Sequence, residues 1–270
     1  MSDKIRDTAE AVKGIAEAVP VYPDAIQPTA QVIGKGLETI TKAALIPLMP
    51  LRLMVHGFEQ MEAYLLEAMD KRLKKIPEER QIPPSPVVAG PALDALRFVV
   101  DEPDLRELYA NLLATSMDSE TAKTAHPAFV EMIRQMTPDE AKIMNELASS
   151  NVVAMITVGQ KFNVLDNSNK VDTEDLKHFT LLPEEAGCMH TELFPSYLNN
   201  LSRLGLVEVG NDYELASTEY EELDNHPAII GFLEAHRGDR FRLAIRHETL
   251  VLTDLGRQFC DACVAIGHLA

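Results

Sequence analysis

The chain has 270 residues, of which 46% are hydrophobic and 25% charged. These proportions exclude wholesale disorder, and the length allows one or two globular domains, of which we expect two. With 25 basic and 42 acidic residues the net charge is −17, which disfavours binding to nucleic acid or anionic membrane unless basic residues are locally concentrated.

The first residues, MSDKIRDTAEAVKGIAEAVP, carry scattered charges and contain no continuous apolar core, so they do not form a secretory signal. The three cysteines, Cys188, Cys260 and Cys263, are too few and too widely spread for a disulfide framework. Both observations predict a cytoplasmic protein.

Two helices are predicted after an N-terminal helical arm at residues 1–22. Within 26–44 and again within 51–68, apolar residues recur four and three positions apart, which is typical of helices that pack against another helix. Pro47 and Pro50 separate the two segments. They therefore predict a helical hairpin, which begins a helical domain at residues 23–136.

The run AALIPLMPLRLMVHGF, residues 43–58, is the most membrane-like part of the chain. A spanning helix needs about 20 mostly apolar residues, and Arg52 and two prolines interrupt this run, so it is too short and too broken to span alone. We favour a buried hairpin, with insertion into a membrane surface as the alternative. The face that would meet a membrane or a partner comprises Leu45, Leu48, Leu51, Met54 and Phe58.

Prolines predict the starts of the next helices, because a helix tolerates proline in its first turn, where the missing N–H has no partner anyway. These residues are Pro91, Pro103, Pro127 and Pro138. Asp101, Glu102 or Thr137 precedes two of them as a candidate cap. Residues 76–91 before them predict an extended connector.

Residues 137–270 predict a mixed α+β domain. The segment VVAMITV, residues 152–158, favours a strand. Residues 163–177 are polar and predict an exposed loop. A helix ending at Gly205 and the strand LVEV follow. RFRLAIR and HETLVLT then predict a small β-hairpin, and a closing helix is capped by Thr253 or Asp254. This order resembles a winged-helix module, a likeness of topology that does not decide function.

Two sets of residues in this domain are candidates for binding. The helix in the position of a recognition helix presents Asn199, Asn200 and Arg203 to solvent. It carries only one positive charge, whereas DNA-binding proteins usually make many phosphate contacts. Arg240, Arg242 and Arg246 share one face of a predicted strand and are the strongest anion-binding candidates. We favour a solvated face whose arginines pair with nearby acids.

No catalytic motif, metal site or cofactor is predicted. Cys260 and Cys263 have CxxC spacing, and Cys188 with His190 would complete a zinc set, but CDAC lies in an apolar helical pattern that favours buried free thiols. We therefore expect a non-enzymatic protein. An active site assembled from residues distant in sequence stays open.

Several segments, in order, resemble the abortive infection alpha (Abi-alpha) family of bacterial proteins. They are PTAQVIGKGLETI, KRLKKIPEERQIPPSP, LRELYANLLATSMD, HPAFVEMIRQMTPDEAKI and LVLTDLGRQFCDACV. The resemblance covers most of the chain from about Tyr22 and implies a role in abortive infection, the defence in which a phage-infected cell stops growing or dies. It supplies no catalytic residues.

We expect a mostly α-helical protein that defends against phage by recognising a protein partner, either a phage component or another copy of itself. The alternatives are a membrane-perturbing effector that uses the 26–69 hairpin, located at the periphery of the inner membrane, and a winged-helix regulator that binds nucleic acid.

Overall fold

The computed structural model describes residues 58–150, 152–161, 171, 173–210, 215, 217–236 and 242–264. Within these ranges the protein is mostly helical and has a four-stranded antiparallel sheet. This confirms the predicted mostly α-helical α+β class. The predicted arm, the 26–44 helix and most of the hairpin lie outside the described residues.

Two compact units divide the described residues: 58–141 with 258–264, and 142–257. The division predicted after residue 136 had placed 258–264 with the second domain.

The chain first forms five helices. They are α1 (Phe58–Leu73), α2 (Pro86–Leu96), α3 (Pro103–Ser116), α4 (Ala128–Arg134) and α5 (Pro138–Ser150). Met61, Leu65 and Ala68 of α1 are buried, as the apolar spacing within 51–68 predicts. Packing in the first unit centres on the buried side chains of Tyr109 and Phe129. The Phe129 ring contacts the Phe259 ring edge-on, with centroids 5.3 Å apart.

Prolines begin α3 and α5 as predicted, and Pro127 precedes α4. At the start of α5, Thr137 N donates to Glu140 Oε2 over 2.6 Å and Glu140 N to Thr137 Oγ1 over 3.2 Å, a reciprocal capping box. The prediction for Pro91 is wrong, since α2 begins at Pro86 and contains Pro91. Pro91 is exposed, so water can reach this side of the helix, where proline removes a backbone hydrogen bond.

The second unit contains the sheet, with strand order β2-β1-β4-β3. The strands are β1 (Val152–Lys161), β2 (Leu176–Phe179), β3 (Val207–Gly210) and β4 (Arg242–Leu252). β1 and β3 confirm two predictions, whereas the predicted loop at 163–177 overlaps the start of β2.

The predicted hairpin within 240–253 is wrong. β4 is one continuous strand that pairs with β1 from Val251 opposite Val152 to Arg242 opposite Lys161. The physical reason is local: LAIRHETLVL contains no glycine, proline or asparagine that would support a tight turn. A single long strand therefore satisfies its backbone groups along β1.

Helices flank this sheet in sequence. They are α6 (Leu182–Glu185), α7 (Phe194–Arg203), α8 (Ser217–Asp224), α9 (Pro227–Ala235) and α10 (Asp254–Phe259), and a π-helix (Cys260–Val264) follows α10. Gly205 ends the α7 turn with φ +74°, and Thr253 Oγ1 caps α10 by accepting from Gly256 N over 2.9 Å. Both ends agree with the predictions.

Candidate functional site

A cavity of about 470 Å³ opens in the first unit beside α1, α3 and the end of the π-helix. The α1 side chains that line it recur at helical spacing, so one face of that helix supplies them. The polar groups that matter most are Tyr64, Lys71, Arg72, Lys75, Arg106 and Glu107. The cavity falls within the range of about 300 to 1,000 Å³ that is usual for small-molecule sites.

Arg72 is the buried anchor of this cavity. Its Nε donates to Asn111 Oδ1 over 2.7 Å, its Nη1 donates to the Ala68 carbonyl oxygen over 3.0 Å, and its Nη2 forms an ion pair with Glu107. Its side chain is only 10% exposed. These acceptors hold the guanidinium in one orientation at the cavity wall.

Glu107 and Tyr64 form the adjoining wall. Tyr64 donates its hydroxyl proton to Glu107 Oε1 over 2.8 Å. Burial opposes ionisation of Glu107, but the Tyr64 hydrogen bond and the nearby Arg72 charge outweigh it and lower the pKa of Glu107. Burial, with the same hydrogen bond, raises the pKa of Tyr64. Glu107 is therefore a carboxylate and Tyr64 a neutral donor at pH 7.

Asn111 connects the cavity to the π-helix. Its Nδ2 donates to the carbonyl oxygens of Cys263 over 2.8 Å and of Val264 over 3.3 Å. Thr115 Oγ1 donates to the Ala262 carbonyl oxygen over 2.9 Å. The side chains of α3 thus satisfy carbonyl groups that the last turn of a helix leaves without an internal partner.

Arg106 lies over the Tyr64 ring, with its guanidinium carbon 4.5 Å from the ring centroid. Its Nη1 donates to the Val100 carbonyl oxygen over 2.7 Å. Its Nε is buried and has no hydrogen-bond acceptor among the described residues. Buried donors are normally satisfied, so this single N–H of the half-buried Arg106 is an exception.

The cavity is positively charged. Two lysines and two arginines line it, against the carboxylates Glu67 and Glu107, so these six side chains carry a net charge of about +2 at pH 7. Lys71 and Lys75 are exposed and form no ion pair with any described residue. The local sign is opposite to that of the chain as a whole.

A second polar cluster lies in the sheet of the second unit. The carboxylate of Glu248 accepts from Thr157 Oγ1 over 2.9 Å and from Arg246 Nε over 2.8 Å, and it lies 2.9 Å from His178 Nδ1. Burial opposes its ionisation, but hydrogen bonds from His178, Arg246 and Thr157 lower the pKa of Glu248. His178 has φ +53°, which costs energy in a residue other than glycine.

The predicted anion-binding arginines are placed only in part. Arg246 donates to Glu174 Oε1 over 2.8 Å as well as to Glu248, so acids compensate its charge. Arg242 begins β4, but its side chain lies outside the described residues, as does all of Arg240.

The predicted polar face of α7 is present in the second unit. Asn199 and Arg203 are exposed, and Asn200 Oδ1 accepts from Arg203 Nη2 over 2.6 Å. These three residues lie together on one helix, as their spacing predicts.

The predicted membrane or partner face lies almost wholly outside the described residues. This holds for Leu45, Leu48, Leu51 and Met54, while Phe58 begins α1 with an undescribed side chain. Among the helices of the described ranges, none is long and apolar enough to cross a membrane.

Cys260 and Cys263 are buried cysteines of the π-helix, Cys188 is half-buried, and none of the three is in a disulfide within the described residues. Burial raises the pKa of the Cys260 thiol to about 12 and raises that of Cys263 as well. In the described part of the chain, no three histidine, cysteine, aspartate or glutamate side chains are grouped to hold a metal ion.

Sequence reasoning missed the cavity. The cluster KRLKK, residues 71–75, carries positive charge of the kind that suits the C-terminal end of a helix. Its second role depends on Arg106 and Glu107, which are distant in sequence. A usable signal was the recurrence of Tyr64 and Lys71 on one face of α1, with Lys75 in the turn that follows the helix.

Comparisons with known proteins identify the family. A solved structure of an uncharacterized protein from the hydrocarbon-degrading marine bacterium Alcanivorax borkumensis SK2 is similar at 24% identity, over 55% of this chain and 99% of that chain, with a TM-score of 0.34. The search of curated proteins found no significant match. The sequence profile described as abortive infection alpha matches residues 57–263. The chain therefore belongs to the abortive infection alpha family.

Proposed function

We propose that this protein acts in abortive infection by recognising another protein and that it is not an enzyme. Membership of the abortive infection alpha family supports the role in phage defence. The recognition step is our inference from the surface of the second unit.

Exposed apolar side chains just before α7 carry this proposal. Met189 is 78% exposed and Leu193 is 45% exposed. The neighbouring side chains of His190 and Glu192 are also exposed and lie within ion-pairing distance of each other, 3.5 Å. Apolar anchors beside polar residues are typical of protein interfaces, in which methionine is enriched.

The α7 helix, which begins directly after Leu193, carries exposed polar groups. Asn199, Ser202 and Arg203 are exposed along it, while Tyr197, Leu198 and Leu201 are buried. We propose that the unit works as a winged-helix-like module whose contact helix is α7. The order of α7, β3 and a partner strand β4 supports this interpretation.

A phage challenge tests the proposal. The full chain, expressed in a phage-sensitive bacterium, should reduce plaque formation, and infected cells should stop growing before they release progeny. The double variant Met189→Asp/Leu193→Asp should lose this protection, because charges at the interface centre oppose burial against a partner. Val87→Asp, at a residue 62% exposed in α2, is the matched control and should protect normally.

A captured partner must show the same dependence. A protein cross-linked to the wild-type chain during infection should be purified and should bind the double variant at least about tenfold more weakly. If the folded double variant protects cells as well as the wild type does, this surface is not the one that acts.

A further inference from the structure

We propose that the cavity bounded by Tyr64, Arg72 and Arg106 binds a ligand that carries a dianionic phosphate group. This goes beyond the proposed function, since it concerns a small-molecule site in the first unit. It stands or falls independently of the surface at Met189 and Leu193.

Charge is the first argument. The four cations and two carboxylates that line the cavity leave a net charge of about +2, and a phosphate monoester carries about −1.5 to −2 at pH 7. The rest of the chain is strongly acidic, with a net charge of −17 overall. An anionic ligand is therefore attracted here and repelled by most of the remaining surface.

The donors provide the second argument. Arg72 is fixed by Asn111, Ala68 and Glu107, and these three acceptors occupy three of its five N–H groups. Its orientation is thus set before a ligand arrives. The ammonium groups of Lys71 and Lys75 form no ion pair with the described residues and can close on a phosphate without breaking an existing contact.

Arg106 provides the third argument. Its buried Nε has no acceptor in the described part of the chain, although its Nη1 bonds to Val100. A buried N–H without an acceptor costs stability, and an anion that accepts from it would offset that cost.

The cavity volume indicates what carries the phosphate. At about 470 Å³ it is large enough for a small molecule. A phosphate attached to a larger group, such as a nucleotide or a lipid glycerol, fits this space. The shared chemistry is the phosphate monoester, and the experiment distinguishes the two sources.

The cluster around Glu248 is a weaker candidate for the same role. Its arginine, Arg246, already pairs with Glu174 and Glu248, and His178 also meets Glu248. The cations of that cluster are therefore compensated within the protein.

Isothermal titration calorimetry tests the proposal: the full chain is titrated with adenosine 5′-monophosphate, the soluble probe. Phosphatidylcholine vesicles with and without phosphatidic acid, measured by co-sedimentation, form the lipid arm. We expect millimolar or tighter binding of at least one probe, corresponding to about 4 kcal/mol or more at 25 °C. Higher salt should weaken the binding.

The variant Lys71→Gln/Lys75→Gln removes two exposed charges from the cavity and should weaken binding about tenfold or more. Lys74→Gln/Lys123→Gln removes two exposed lysines of the same unit that do not line the cavity, and it should bind like the wild type. Binding of the free probe identifies a soluble ligand, and binding of acidic vesicles alone identifies a lipid headgroup. No binding of either probe, or equal weakening by both double variants, would overturn the proposal.

Discussion

Asn111 Nδ2 donates a 2.8 Å hydrogen bond to the carbonyl oxygen of Cys263, a residue 152 positions further along the chain. The same side chain accepts from Arg72 Nε through its Oδ1. One buried amide therefore connects α1, α3 and the π-helix at the wall of the charged cavity. Because both ends of the amide are used, its removal leaves donors and acceptors without partners on two sides.

We predict that Asn111→Ala lowers the free energy of unfolding by about 2 to 4 kcal/mol, because Arg72 Nε and the Cys263 carbonyl oxygen lose buried partners. Urea denaturation followed by circular dichroism measures the change. Asn199→Ala, at an exposed asparagine, is the control and should stay within about 0.5 kcal/mol of the wild type. Equal effects of the two substitutions would contradict the structural role of Asn111.

Glu248 should make stability depend on pH. Its pKa in the folded protein is lowered, so its contribution is fully present above the carboxyl pKa of the unfolded chain, about 4.3, and is lost as the pH falls through the lower folded value. We predict that Glu248→Gln lowers the free energy of unfolding by about 3 kcal/mol at pH 7. The difference from the wild type should shrink as the pH is lowered from 6 to 3.

Denaturation at several pH values checks this prediction. Glu208→Gln, at an exposed glutamate of β3, should leave both stability and its pH dependence nearly unchanged. A pH-independent difference for Glu248→Gln would show that ionisation of this carboxyl does not stabilise the fold.

At position 178, a glycine substitution should give a more stable protein than an alanine substitution, the reverse of the usual order. Its φ of +53° favours glycine, while both substitutions remove the contact with Glu248 equally. We predict that His178→Gly is more stable than His178→Ala by about 1 kcal/mol, the cost of a left-handed conformation for alanine. Thermal unfolding measures the difference. At the exposed neighbour Lys177, alanine should be the more stable replacement, and the same order at both positions would refute the prediction.

Substitution by alanine should change the stability of the protein in opposite directions at two helical glycines. A Cβ at Gly256 would lie 1.9 Å from the carbonyl oxygen of Leu206, whereas at Gly231 it would meet nothing within 4 Å. We predict that Gly256→Ala destabilises by about 3 kcal/mol or more, because backbone must move. Gly231→Ala should stabilise by about 0.5 to 1 kcal/mol through helix propensity. Chemical denaturation compares the two, and a harmless Gly256→Ala would contradict the observed close approach.

Local chemistry made the helical part of this fold predictable. Pro103, Pro138 and the pair Thr137 and Glu140 mark helix starts through groups only a few residues apart, and Thr253 does the same for α10. Pro91 was misjudged because the same residue type is tolerated inside an exposed helix. Part of the candidate partner surface, the polar face of α7, was also visible in the spacing of its residues.

By itself the sequence determined the helical class, most helix ends, the strand segments β1 and β3, and the resemblance to the abortive infection alpha family. Only the tertiary structure showed that β4 is unbroken: its lack of turn residues permits one long strand, and pairing with ten residues of β1 stabilises it. It also decided that Arg72 meets Glu107 and Asn111 at a cavity. Caps and periodicity act over a few residues, whereas a charged cavity depends on which distant side chains the packed helices bring together.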